Sequence, residues 1–206
     1  MASCCENKSC ELDALRQNQG RVLKWVLAIN AFMFVIEYTT GIIAHSTALL
    51  GDSLDMLGDA FVYAFSLYVL NRSDKWITTS ALLKGLIMAG FGLFVLAEAT
   101  YKMLYPVLPT AELIGGMGIL ALLANLLCLR LLWAHRSDDI NMRSVWLCSR
   151  NDVIANSGVI LAAMLVWSLQ SQWPDIIIGL AIAVLFLRSA WHVLHDSIVQ
   201  LRSLRK

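Results

Sequence analysis

Long apolar runs alternate with short polar segments along the whole chain. Runs rich in Leu, Ile, Val, Ala and aromatic residues fall at about 22–44, 48–70, 78–104, 112–134, 144–168 and 175–197, each close to the roughly 20 residues a helix needs to cross a bilayer. The stretch from Leu113 to Leu129 carries no charge and lacks the period-two alternation of a membrane barrel. In lipid a helix satisfies its own backbone polar groups. The pattern therefore predicts an all-α, polytopic membrane protein with six transmembrane helices.

Composition agrees and limits what else fits. Of 206 residues, 58% are hydrophobic and 15% charged, whereas soluble domains run near half and a quarter. Mean hydropathy is +0.66. Six spans use on the order of 120 residues. The expected organisation is a cysteine-containing cytoplasmic tail over residues 1–20, a six-helix transmembrane domain over 21–198 and a short cytoplasmic tail over 199–206. A net charge of +1 is too small for binding driven by phosphate neutralisation, so nucleic acid is not an expected partner. Cys4, Cys5 and Cys10 crowd the amino terminus while Cys128 and Cys148 lie in apolar runs, which is no disulfide framework. The amino terminus is polar and partly acidic, unlike a cleaved signal, so the first apolar run is expected to remain as a span.

Charge also sets orientation. Lys8, Arg16, Arg21 and Lys24 precede the first span, Arg72 and Lys75 follow the second, Arg136 and Arg143 follow the fourth, and Arg202, Arg205 and Lys206 end the chain. The intervening connections carry almost no cation, Lys102 excepted. Because Lys and Arg stay on the cytoplasmic side, both termini are expected there, in a bacterial inner (plasma) membrane. Trp25, Trp76, Trp133 and Trp173 fall near span ends, as an interfacial belt requires.

The chemistry lies in six acidic residues within the spans and away from their ends: Glu37, Asp52, Asp55, Asp59, Glu98 and Asp152. Each costs roughly 2.5–3.5 kcal/mol near the bilayer centre, so they are expected to face one another or a cavity. Asp52, Asp55 and Asp59 are spaced by three and four, which aligns them on one helix face. Cys148 and Asp152 share a face in the same way, with Asn156 one turn further on. At about 1.5 Å per residue, Asp59 and Asp152 both lie about two to three turns from the cytoplasmic edge, with Asp55 about a turn deeper and Cys148 about a turn shallower. The two faces overlap in depth. Carboxylates gathered in low dielectric repel one another unless they hold protons or a cation, and a divalent metal that takes their place must release those protons. Glu37 and Glu98, taken singly, are equally readable as helix-to-helix hydrogen-bonding groups.

The segment His45-Ser-Thr-Ala-Leu-Leu-Gly-Asp-Ser-Leu-Asp55-Met-Leu-Gly-Asp59 resembles the second-helix signature of the cation diffusion facilitator (CDF) family. The resemblance implies a six-helix, usually dimeric, proton-coupled exporter of divalent metals, with a homodimer here formed through membrane helices. It also implies a transport site made of two residue pairs. Asp55 and Asp59 match the pair on the second helix. On the fifth, Asp152 aligns with the family's final Asp, and Cys148 takes the place usually held by His or Asp. The implied metal ligands are Asp55, Asp59, Cys148 and Asp152, a tetrahedral set suited to Zn²⁺ and, through sulfur, to Cd²⁺. A rival register pairs Asp152 with Asn156 and gives a harder, all-oxygen site suited to Mn²⁺ or Fe²⁺. Two family features have no counterpart. The connection between helices two and three, Asn71-Arg-Ser-Asp-Lys-Trp76, has no histidine for an auxiliary site, and the family's carboxy-terminal cytoplasmic domain is expected to be missing.

Other features carry weaker readings. Cys4, Cys5 and Cys10 are either metal-catching thiols or part of a flexible tail. His192 and His195 sit at the cytoplasmic end of the last helix, as cations near a helix carboxy terminus. His45 is expected in an interfacial loop, and Lys84 and Arg150 are expected to snorkel toward the cytoplasmic surface. An enzymatic alternative, metal-dependent phosphotransfer as in the CDP-alcohol phosphotransferases, requires Asp-x-x-Asp-Gly followed by Ala-Arg. Here Asp52-Ser-Leu-Asp55 is followed by Met56. A metal-binding sensor without a transport cycle is the third alternative. The protein is expected to be a transporter with no resident cofactor, its metal and protons being cargo.

Overall fold

The computed structural model describes residues 3–69, 74–137 and 140–203. It is all-helical there, with six helices: α1 (Ser3–Ile43), α2 (Thr47–Val69), α3 (Asp74–Leu104), α4 (Ala111–Trp133), α5 (Ile140–Leu169) and α6 (Trp173–Ser203). Five of them contain a stretch long and apolar enough to cross a membrane, at Asn18–Ile43, Gly85–Leu104, Ala111–Trp133, Ser149–Leu169 and Trp173–His195. The other, α2, matches α4 in length at 23 residues but carries Asp52, Asp55 and Asp59. Packing explains how it tolerates them. α1 lies along α2, α4 along α5 and α3 along α6, while α2 also touches α3, α5 and α6. With neighbours on these sides, the acid-bearing part of α2 is covered, Asp52 and Asp59 being buried and Asp55 half-buried, while Phe61 further along is exposed.

Glycines set the closest approaches, as expected where helices associate without a hydrophobic drive. A Cβ on Gly179 of α6 would stand 2.5 Å from Thr47 Cγ2, and one on Gly51 of α2 would stand 3.1 Å from Ile182 Cγ2. Gly92 brings α3 against Leu187 and the Ala183 carbonyl of α6. Apolar packing forms two clusters. One joins Leu49, Leu54, Val95, Ile114, Val159, Ile182 and Phe186. The other joins Leu23, Val26, Tyr63, Cys128, Leu132 and Met142 nearer the chain ends of the bundle. Large apolar side chains such as Phe32, Leu93, Leu123 and Val184 are exposed, which suits a lipid-facing surface. Trp25, Trp133 and Trp173 are exposed as well, in keeping with a belt. Trp76 lies outside the described side chains.

The helices overrun the predicted spans at their inner ends. α1 begins at Ser3 and runs through the stretch expected to be a tail, and α6 continues to Ser203. Apolar periodicity marks only the part of a helix that meets lipid; polar residues continue the same hydrogen-bond ladder beyond it. The expected flexible tail bearing Cys4, Cys5 and Cys10 is therefore helical in its backbone, and their side chains lie outside those described.

Candidate metal site

Helix geometry delivers Asp55 and Asp59 to the same side of α2, one turn apart. That side meets α5 and α6. A cavity of about 200 Å³ lies there, lined by Asp55, Gly58 and Asp59 of α2, Asn151, Asp152 and Ala155 of α5, and Ile182, Phe186 and Ser189 of α6, among others. Three of the predicted ligands, Asp55, Asp59 and Asp152, thus border one space. Asp59 and Asp152 are buried, and Asp55 is half-buried. Of the lining residues, Asn151, Leu185 and Ser189 are exposed. The Cys148 side chain lies outside those described. Asn156 does not line the cavity; it is buried, and its Nδ2 donates to the Asp152 carbonyl at 2.9 Å.

The three carboxylates border the cavity without closing around a common point. Among the described residues, no three His, Cys, Asp or Glu side chains stand close enough to hold a metal ion. One Asp59 oxygen has another partner already, since Tyr63 donates its hydroxyl to Oδ2 at 2.6 Å. Tyr63 is fully buried, so this bond fixes the Asp59 side chain. The i, i+4 spacing from Asp59 was the available signal for Tyr63. Asn151, next to Asp152, is a second lining residue that span-by-span reading missed.

The remaining membrane acids separate into two other settings. Glu37 of α1 and Asp52 of α2 are almost wholly buried, and their carboxyls face each other. Neither Glu37 oxygen, nor Asp52 Oδ2, finds a hydrogen-bond donor among the described residues. Two carboxyls in that position can be joined only through a proton. Glu98 is no part of the cavity: it pairs with Lys102 at 3.5 Å, one turn along α3. Lys102, the exception to the charge sorting, is 3% exposed and donates to the His45 carbonyl at 2.8 Å. It is a buried structural cation, outside the scope of a rule about loop charges. His45 itself is exposed in the α1–α2 turn, with a left-handed backbone (φ 50°). His192 and His195 are exposed, as is Arg150, whose guanidinium lies 5.6 Å from the Trp146 ring.

Comparison with known proteins bears on what this arrangement serves. Residues 23–202 match the cation efflux transmembrane domain. The zinc transporter ZitB of Escherichia coli is 26% identical over 200 residues, covering 89% of this chain and 63% of that protein. A cadmium, cobalt and zinc/H(+)-K(+) antiporter of Bacillus velezensis is 28% identical over 123 residues, 58% of this chain and 39% of the relative. ZitB of Yersinia pestis is 30% identical over 146 residues, 68% of this chain and 43% of the relative. The chain spans less than two thirds of the length of each. The match to the transmembrane domain nonetheless takes in most of the chain and includes every residue of the cavity: this is a multi-pass membrane protein of the cation efflux family, a family of transporters and not of enzymes.

Proposed function

We propose that the protein is a proton-coupled antiporter that exports a zinc-like divalent cation from the cytoplasm, with Asp55, Asp59, Cys148 and Asp152 as its ligands. The observation that carries this reading is the cavity bordered by carboxylates from both α2 and α5. Cargo held between two helices can be passed across the membrane when those helices move relative to each other. The relatives' names support zinc, cadmium and cobalt as cargo; Ni²⁺, Fe²⁺ and Mn²⁺ are further candidates. Asp55, Asp59 and Asp152 repel one another when ionised, so they hold protons in the empty site and release them to a metal. The cation draws the carboxylates together while Tyr63 anchors Asp59. Protons arriving from outside then displace the metal. The soft Cys148 thiolate completes a four-ligand set in preference to Asn156, which does not line the cavity, although its buried Oδ1 has no hydrogen-bond partner among the described residues. Two copies of the chain pair through membrane helices in the bacterial inner membrane, with both termini cytoplasmic.

The test is reconstitution into proteoliposomes with a pH-sensitive dye inside and Zn²⁺, Cd²⁺, Co²⁺, Ni²⁺, Mn²⁺ or Fe²⁺ outside. Metal-driven proton flux that vanishes in Asp55→Ala and Asp152→Ala is expected. Wild-type liposomes that show no such flux would refute the reading.

A further inference from the structure

One end of the bundle is stitched by polar contacts that the metal cavity does not use. Asp175, at the start of α6, is fully buried and accepts from the Ser46 hydroxyl at 2.5 Å, the Thr47 N–H at 2.7 Å and the Ala48 N–H at 3.2 Å. It thereby caps α2 from another helix. Lys102 of α3 lies 3.9 Å from Asp175 and donates to the His45 carbonyl. Neighbouring turns join in: the Thr110 N–H donates to the Ala44 carbonyl at 3.0 Å, and Gln172 bridges the Val107 N–H and the Lys102 carbonyl. By the Lys and Arg distribution this is the outer end.

Beneath the cluster, α2 is sealed. All nine residues from Ser46 to Leu54 are buried; eight of them are helical and make more than two turns, so every face of the helix is covered. Gly179 against Thr47 and Gly51 against Ile182 bring α6 onto this segment with no space between. The covering loosens from Asp55 onward, where the cavity begins, and its lining includes exposed Asn151 and Ser189, which lie toward the inner ends of α5 and α6.

We infer that the Asp175–Lys102 cluster is the outer gate of the transport path: it holds the first two turns of α2 against α3 and α6, and it parts when cargo leaves outward. This rests on the transport reading above. The bonding pattern suits a device that opens. Separating α2 from α3 and α6 breaks the bonds from Ser46, Thr47 and Ala48 to Asp175, and that from Lys102 to His45. It leaves Lys102 with Glu98 and Asp175, both on the departing side. Neither charge is stranded, and the freed α2 amides and His45 carbonyl turn to water. Asp175 and Lys102 are positioning residues, acting on α2 and not on the metal.

The experiment measures access from each side. In a chain whose five native cysteines are replaced by serine, single reporters Ser53→Cys, within the sealed segment, and Ser189→Cys, at the inner lining, are labelled with a membrane-impermeant maleimide in right-side-out and inside-out vesicles. Asp175→Asn and Lys102→Met are expected to speed outer labelling at position 53 on the order of tenfold, the scale of one lost coupling, and to slow inner labelling at 189. Lys102→Arg is expected to behave like the parent. Unchanged outer labelling in the folded variants would overturn the gate. So would faster labelling of both reporters together, which is the mark of general loosening. Labelling needs no cargo, so a wild-type chain that moves no metal would count against the antiporter reading alone.

Discussion

Replacing Gly179 by alanine adds a single methyl group at the tightest glycine contact between α2 and α6. Its Cβ would lie 2.5 Å from Thr47 Cγ2, 3.0 Å from Thr47 Cβ and 3.1 Å from the Thr47 carbonyl carbon. Carbon atoms settle at about 3.5–4.0 Å, so the two helices must separate by roughly 1 Å at this level. The last of those contacts is backbone, which no rotamer change relieves. Overpacking of this kind costs about 1–3 kcal/mol, offset by the roughly 0.5–1 kcal/mol that alanine gains over glycine within a helix. The expected net loss is about 1–2 kcal/mol, read as a lower thermal transition of the detergent-solubilised protein. Gly90→Ala and Gly116→Ala are the controls, since nothing lies within 4 Å of either new Cβ; they are expected to be neutral or slightly stabilising. Thr47→Ser removes Cγ2, and the Thr47 hydroxyl has no hydrogen-bond partner among the described residues. The double variant should therefore recover part of the loss. A Gly179→Ala protein as stable as wild type would refute the close α2–α6 approach, and with it the sealed outer half of α2.

Three further outcomes are expected. Tyr63→Phe removes the donor to Asp59 and should lower stability by about 0.5–1.5 kcal/mol, the net range for a hydrogen bond, while metal-dependent flux persists; unchanged stability would contradict the Tyr63–Asp59 anchor. Cys148→His should shift preference from Cd²⁺ toward Zn²⁺ with transport retained, as a softer donor is exchanged for imidazole, and an unchanged metal ranking would favour Asn156 in its place. Cys128 is free and fully buried, so a polar thiol reagent should modify it only after denaturation; fast labelling of the folded protein would contradict its place in the core.

Sequence reading reached the spans and the carboxylates for the same reason: both are helical periodicities. Six apolar runs give six helices, and acids three and four apart must share a face. Overlap in depth then brought Asp152 level with Asp59, and the cavity borders on all three carboxylates. What escaped depends on how helices rotate against each other. Glu37 and Asp52 come from different helices, and nothing in their spacing announces that they face one another. Asp175 is an ordinary first-turn acid by sequence, yet it caps a helix 128 residues away along the chain. Lys102 looked like an exception to charge sorting because a loop rule cannot see that the residue is buried. Overrun of the helix ends was invisible because polar helix in water has no apolar stripe to reveal it.

The central claim is that carboxylates of α2 and α5 hold one cargo ion between them and give up protons to it. Calorimetric titration of Zn²⁺ or Cd²⁺ into the purified protein, in buffers that differ in ionisation enthalpy, measures both at once. The account predicts one ion bound per chain with net proton release, and loss of both in Asp55→Asn and in Asp152→Asn. Full binding with unchanged proton release in either variant would contradict it.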